Sequence, residues 1–261
     1  MNKQRSFQER WSTRRALVGL AQAHPNPLLT EMAGLCGYDF VMLDGEHGVF
    51  SDADYLPSLR ALASTEALSM IRLPNHGARA IGLYLDMGVH ALVAPHVSTA
   101  EQARTLAQAM LYPPAGTRSV GASSHRASRY GLDTASCLKS PRTGASLIVL
   151  IESKLGVDNV EEILAVEGVD GALIGPSDLS AELGSSGNFS HPDYIQAMTR
   201  IEQAARDTGK VLGTVPHAGH PIDALLARGY RFLITGAEMP LIREAMVAQV
   251  TQARASVQAA G

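Results

Sequence analysis

The sequence has only two cysteines in 261 residues, Cys36 and Cys137, and neither stands in a CxxC or other metal-ligand spacing. That excludes a disulfide scaffold and a thiolate zinc site, and both thiols read as structural residues of an intracellular protein. Lysine is also scarce. The four present are Lys3, Lys139, Lys154 and Lys210, and none falls inside an apolar run where a Schiff-base amine would be expected. No excess of one charge exists: 22 basic residues face 25 acidic ones for a formal charge of −3. A chain so balanced carries no electrostatic footprint for nucleic acid or an anionic membrane, so small molecules are the expected partners. No apolar run approaches the ~18 residues of a membrane span. The charged N-terminal stretch "MNKQRSFQERWSTRRALVGL" lacks the apolar core of a signal peptide, which makes the cytoplasm the expected location. Linkers rich in Gly, Ser or Pro and short-period repeats are missing too, so residues 1–261 are expected to form a single domain.

What is present is an alternation. Hydrophobic residues make up 46% of the chain, enough for a large core, and they recur as eight short runs: 16–20, 40–45, 68–74, 91–97, 146–153, 171–176, 211–216 and 232–238. Between them lie amphipathic patterns such as "DADYLPSLRALAST", "AEQARTLAQAML" and "PDYIQAMTRIEQAARDTG", many opened by Pro, Ser or Asp and closed by Gly. Runs that are continuously apolar suit parallel strands covered by helices. Eight βα units in about 250 residues match a (β/α)₈ TIM barrel, with a doubly wound open sheet as the rival α/β arrangement. Two polar insertions, 112–144 and 180–190, interrupt the pattern, and both are expected on the side of the strand C-terminal ends.

That side is where barrel chemistry collects, and charged residues do end the runs: Asp44, Glu46 and His47, then Arg72, His96, Glu152, Asp178, His217 and Glu238. Glu152 ("VLIE") and Asp178 ("IGPSD") would project into one cavity, where two carboxylates stay ionised only with a cation between them. Oxygen ligation points to Mg²⁺, with Mn²⁺ or Co²⁺ also compatible. The alternative is a helix-capping Asp178 and a surface-paired Glu152. Arg72 suits a carboxylate or an enolate oxygen, or else a structural pair with Asp44 or Glu46. His47 offers a base tunable to neutral pH, and Asp86 could orient it or simply end a helix. His96 closes a strand, either as a site residue or as a packed histidine. "YPPAGTRSVG" lacks the spacing of a phosphate loop.

Taken together, "LDGEHG", "YPPAGTRSVG…RASRYG", "IE" and "EGVDGALIGPSDLSAELG…GN…HP" resemble the class II pyruvate aldolases of the HpcH/HpaI family, within the phosphoenolpyruvate/pyruvate-binding barrel superfamily, from about residue 15 to 250. The resemblance implies a barrel that is commonly hexameric, with its last helix swapped between subunits. It implies metal binding by Glu152 and Asp178, a catalytic His47 supported by Asp86, an essential Arg72, an acidic Asp44 beside the base, and capture of the 2-oxo acid carboxylate by the amides of Ser177 and Asp178. The implied reaction is reversible aldol cleavage of a 4-hydroxy-2-oxo acid through the enolate of pyruvate or oxaloacetate, with an aldehyde as the second partner. Three positions depart from the usual aldolase pattern: Leu150 replaces a Gln, Ala21 replaces a Trp, and His96 replaces an apolar residue. A His there is similar to macrophomate synthase and the siderophore-pathway citrate synthases, which makes condensation of oxaloacetate with acetyl-CoA the alternative. A non-catalytic barrel that binds a 2-oxo acid is the remaining one.

Overall fold

Every one of the eight apolar runs forms a strand, and the eight close into a parallel barrel in sequence order. The computed structural model describes residues 6–13, 16–140, 142 and 144–260. The chain begins with α1 (Phe7–Thr13), β1 (Leu17–Gln22), α2 (Pro27–Leu35), β2 (Phe40–Asp44), α3 (Asp52–Leu62), β3 (Leu68–Arg72), α4 (Ala78–Asp86), β4 (Ala91–Ala94) and α5 (Ala100–Ala109). It continues with α6 (Thr134–Lys139), β5 (Ser146–Ile151), α7 (Lys154–Asp158), α8 (Val160–Leu164), β6 (Gly171–Ile174), α9 (Pro176–Glu182) and α10 (Pro192–Thr208). The last elements are β7 (Val211–Thr214), α11 (Ile222–Ala227), β8 (Phe232–Ala237) and α12 (Glu238–Ala260). Helix starts follow local chemistry. Asn26 accepts the Leu28 and Leu29 amides ahead of Pro27, and Thr99 forms a capping box with Gln102.

Strand periodicity decides what reaches the cavity. Side chains alternate across a strand, and Phe40 and Met42, Leu68 and Met70, and Ile148 and Leu150 share one buried cluster inside the barrel. Their neighbours Val41, Leu43, Ile71, Leu147 and Val149 belong to the layer between sheet and helices. The next inward positions on those three strands are Asp44, Arg72 and Glu152. The apolar filling therefore ends in charge at the strand C-terminal rim.

The opposite rim is plugged by α1, which the sequence did not announce. Phe7 and Trp11 meet Phe40 and Phe232 with ring centroids 5.7 and 5.9 Å apart. A side chain at Gly19 or Gly213 would lie 2.1 Å from those two rings, so only glycine admits them there. The Arg231 guanidinium donates to the Trp11 carbonyl and tethers the helix.

Two expectations need correction. Segment 112–144 joins α5 to β5, so it returns from a helix to a strand and lies at the N-terminal rim, not the C-terminal one. There Arg118 donates to Asp86 and Arg126 to the Met87 carbonyl at 2.8 Å, at the end of α4. Sequence length alone marks an insertion; only its place in the βα order says which rim receives it. Segment 180–190 does follow β6, but its first residues belong to α9. The last helix, α12, leaves the barrel and is exposed along most of its 23 residues.

Candidate active site

Asp44 and Arg72 are register partners on β2 and β3. The Arg72 Nε donates to Asp44 Oδ1 at 2.8 Å, and its Nη2 donates to Oδ2, a two-pronged pairing only a guanidinium can make. Asp44 Oδ1 also accepts the amides of Glu46 and His47 at 3.0 and 3.1 Å. That turn shapes the "DGEH" loop. Gly45 is required within it, because an added side chain would meet the Tyr55 hydroxyl at 2.4 Å and the Arg72 carbonyl at 2.7 Å. Burial opposes ionisation of Asp44, but the hydrogen bonds and charge of Arg72, helped by the two amides, hold its carboxyl below the usual range.

From Arg72 the charged chain continues across the mouth. Its Nη1 lies 2.9 Å from Glu46 Oε2. Glu46 Oε1 lies 3.0 Å from His96 Nε2, and His96 Nδ1 lies 3.2 Å from Glu152 Oε1. The His96 amide donates to that same oxygen at 2.8 Å. His96 adopts a left-handed backbone with φ 51°, a conformation non-glycine residues seldom take. Glu152 is 2% exposed. Burial pushes its carboxyl up to about 7; the amide and charge of His96 oppose this, while Glu46 and Asp178 push the same way.

Ser177 and Asp178 are exposed in the first turn of α9, whose start no side chain caps. The His47 ring is exposed on the loop after β2. The structure thus gathers Asp44, Arg72, His96 and Glu152, and it sets Asp178 near Glu152. Asp86 is not brought to His47 within this chain. It ends α4, which runs back from the mouth, and there it pairs with Arg118 and with His125 at 3.2 Å.

Glu46 joins the cluster through Arg72, a pairing the sequence allowed, and through His96, a contact it did not indicate. Elsewhere on the rim, His217 Nε2 meets the Tyr194 hydroxyl at 2.9 Å. Glu238 accepts the Ala23 and His24 amides at 2.8 and 2.9 Å, fastening the β1–α2 loop. Among the described residues the lysines face away: Lys154 pairs with Asp158 and Lys210 donates to the Val169 carbonyl. Cys36 and Cys137 are unpaired. No helix of the described residues is long and apolar enough to cross a membrane.

The donor chemistry suits a divalent cation. Ligand atoms of Glu46, His96 and Glu152 lie within 4.8 Å of one another, and like charges crowding a buried carboxylate are relieved by a metal. The model for HpcH/HpaI aldolase/citrate lyase matches residues 18–245. The chain belongs to the HpcH/HpaI family. As a member it is a carbon–carbon lyase of the class II aldolase type. It is similar to 5-keto-4-deoxy-D-glucarate aldolase of Escherichia coli (strain K12 / DH10B), with 36% identity over 92% of this chain and 93% of the relative. Among solved structures it resembles macrophomate synthase, with TM-score 0.85, 26% identity and coverage of 98% and 91%. It shares the fold of the citrate synthase SbnG, with TM-score 0.87, 24% identity and coverage of 97% and 99%. The HpcH/HpaI assignment agrees with the TIM barrel and with the aldolase reading of the sequence.

Proposed function

We propose that this HpcH/HpaI enzyme cleaves and forms the bond between C3 and C4 of a 4-hydroxy-2-oxo acid, with pyruvate or oxaloacetate as the nucleophilic half and an aldehyde as the other. Glu152 and Asp178 would hold a divalent cation, with Mg²⁺, Mn²⁺ and Co²⁺ as the candidates, and the amides of Ser177 and Asp178 would receive the substrate carboxylate. Bound there, the cation would supply Lewis acidity toward the carboxylate and keto oxygens. His47 takes the proton of the C4 hydroxyl as the C3–C4 bond breaks, the aldehyde departs, and the electron pair passes onto the keto oxygen of the enolate. Arg72, its plane fixed by Asp44, stabilises the negative charge gathering on that oxygen. Protonation at C3 then releases the 2-oxo acid. Reversal gives condensation.

The observation that carries this reading is the unbroken charged chain Asp44–Arg72–Glu46–His96–Glu152 at the C-terminal mouth of the barrel. Assembly into a homo-oligomer, a hexamer by the family resemblance, would engage the exposed α12. The test is a panel of 4-hydroxy-2-oxo acids incubated with divalent cation and read by mass spectrometry. Release of pyruvate with an aldehyde supports the reading, and intact substrates throughout would overturn it.

One observation favours a second reaction. His96 stands within the charged chain, where with Arg72 it could polarise the keto group of oxaloacetate toward attack by acetyl-CoA. Free CoA with citrate would establish that activity, and pyruvate alone would remove it.

A further inference from the structure

His96 leaves the regular strand, and two hydrogen bonds hold it there. β4 pairs Ala94 with Val149, and the ladder resumes with the Val97 amide donating to the Leu150 carbonyl at 3.3 Å. Pro95 and His96 bulge out between those two points, a device that re-aims a side chain. His96 takes φ 51°, in the left-handed region that a side chain disfavours and that persists only where surrounding contacts over-determine it. Both polar atoms of the peptide group joining Pro95 to His96 are held. Its N–H donates to Glu152 Oε1 at 2.8 Å. Its carbonyl meets His76 Nε2 at 2.5 Å, and since a carbonyl only accepts, that nitrogen carries the proton.

His76 stands on the loop between β3 and α4, four residues beyond Arg72. There Asn75 Oδ1 accepts the Gly77 amide at 2.8 Å, a turn that fixes the backbone on either side of His76. The loop that leaves Arg72 thus grips the bulge that carries His96. The His76 ring is half-buried and lines a surface hollow with Thr99, Gln102 and Thr105.

We propose that His76 is a positioning residue for the active site: by holding the Pro95 carbonyl it keeps the left-handed bulge in place, and with it the His96 amide on Glu152 and the His96 ring beside Glu46. The peptide group is planar, so its carbonyl and N–H turn together. Without His76 the carbonyl is free to turn toward water, and the amide bond to Glu152 loosens with it. The consequence for the reaction rests on the enolate reading above; the clamp itself does not.

The experiment uses the full chain. Deuterium exchange at C3 of pyruvate is followed by proton NMR at saturating Mg²⁺ over a range of pyruvate concentrations. His76→Ala should lower the maximal exchange rate about tenfold or more, the scale of a small misplacement of reacting groups, and change half-saturating pyruvate less than about threefold. Added imidazole, which fits the space the side chain leaves and brings an N–H, should restore most of the lost rate. 1-Methylimidazole has the same ring without that donor and should not. Urea unfolding supplies an arm independent of activity. Glycine adopts left-handed backbone without strain, so removing His76 should shift the unfolding midpoint less than about half as much in His96→Gly as in the wild-type background. Equal shifts in the two backgrounds overturn the proposal, as does rescue by 1-methylimidazole equal to that by imidazole, or an exchange rate unchanged in His76→Ala. Wild-type protein that exchanges no protons contradicts the enolate reading instead, and the urea comparison still decides the clamp. Where His76→Ala does not fold, His76→Phe, which keeps a ring and loses the donor, enters the same rate and urea comparisons.

Discussion

Arg72 and Asp44 stand opposite one another on adjacent strands, joined by Nε to Oδ1 at 2.8 Å and by Nη2 to Oδ2. Two parallel bonds fix the plane of the guanidinium as well as its position, so Nη1 is delivered to Glu46 and to the mouth of the barrel. Lysine can supply the charge but not the fork. Arg72→Lys should therefore fold and still lower kcat/KM by roughly 10²-fold or more, within the range seen when a donor to a developing oxyanion is removed. Steady-state kinetics on the substrate identified by the panel checks this; an unchanged kcat/KM would remove Arg72 from the chemistry.

Glu152 gives a pH signature. Its folded carboxyl holds a proton up to about pH 7, against an ordinary value of 4.5. Between those values the folded state binds more protons than the unfolded one. Metal-free protein should lose stability as pH rises from about 4.5 to 7, by up to about 3 kcal/mol. Glu152→Gln should flatten that slope and be the more stable form above pH 7. Urea unfolding across pH, without and with divalent cation, measures it, and the cation should restore wild-type stability at high pH.

Helix α1 makes a claim about stability rather than catalysis. Trp11 is 6% exposed and packs on Phe7 and Phe232 at the rim away from the charged chain. Trp11→Ala should cost about 3–5 kcal/mol with kcat unchanged per folded molecule. Denaturant unfolding and activity at low temperature separate the two effects.

Helix α12 carries exposed Met246, Val247, Val250 and Val257, apolar side chains more numerous than a solvated helix sustains. If α12 joins subunits in the proposed homo-oligomer, deleting residues 245–261 should convert it to smaller species in analytical ultracentrifugation. An unchanged sedimentation coefficient, allowing for the lost mass, would show that α12 does not hold subunits together.

The eight strands and the inward charges on three of them were legible because periodicity is local: Phe40, Met42 and Asp44 share one face of β2 whatever surrounds them. Helix α1 was not, since seven residues dense in charge become a plug only when Phe40 and Phe232 are already in place. The rim reached by 112–144 depends on βα order rather than composition, which also separates Asp86 from His47 in this chain. Glu46 was legible as a rim charge and as a possible partner of Arg72, but its contact with His96 was not, because His96 leaves the strand's alternation through a left-handed residue, and no spacing rule anticipates that.

Enolate formation at the mouth of the barrel is the central claim, and hydrogen exchange at C3 of pyruvate in deuterated water, followed by proton NMR, tests it without knowledge of the aldehyde. With divalent cation the wild type should exchange the methyl protons, and Glu152→Gln and Arg72→Lys should slow the exchange by roughly 10²-fold or more. Folded, metal-loaded wild-type protein that leaves the methyl signal of pyruvate intact, and does the same with oxaloacetate, would contradict it.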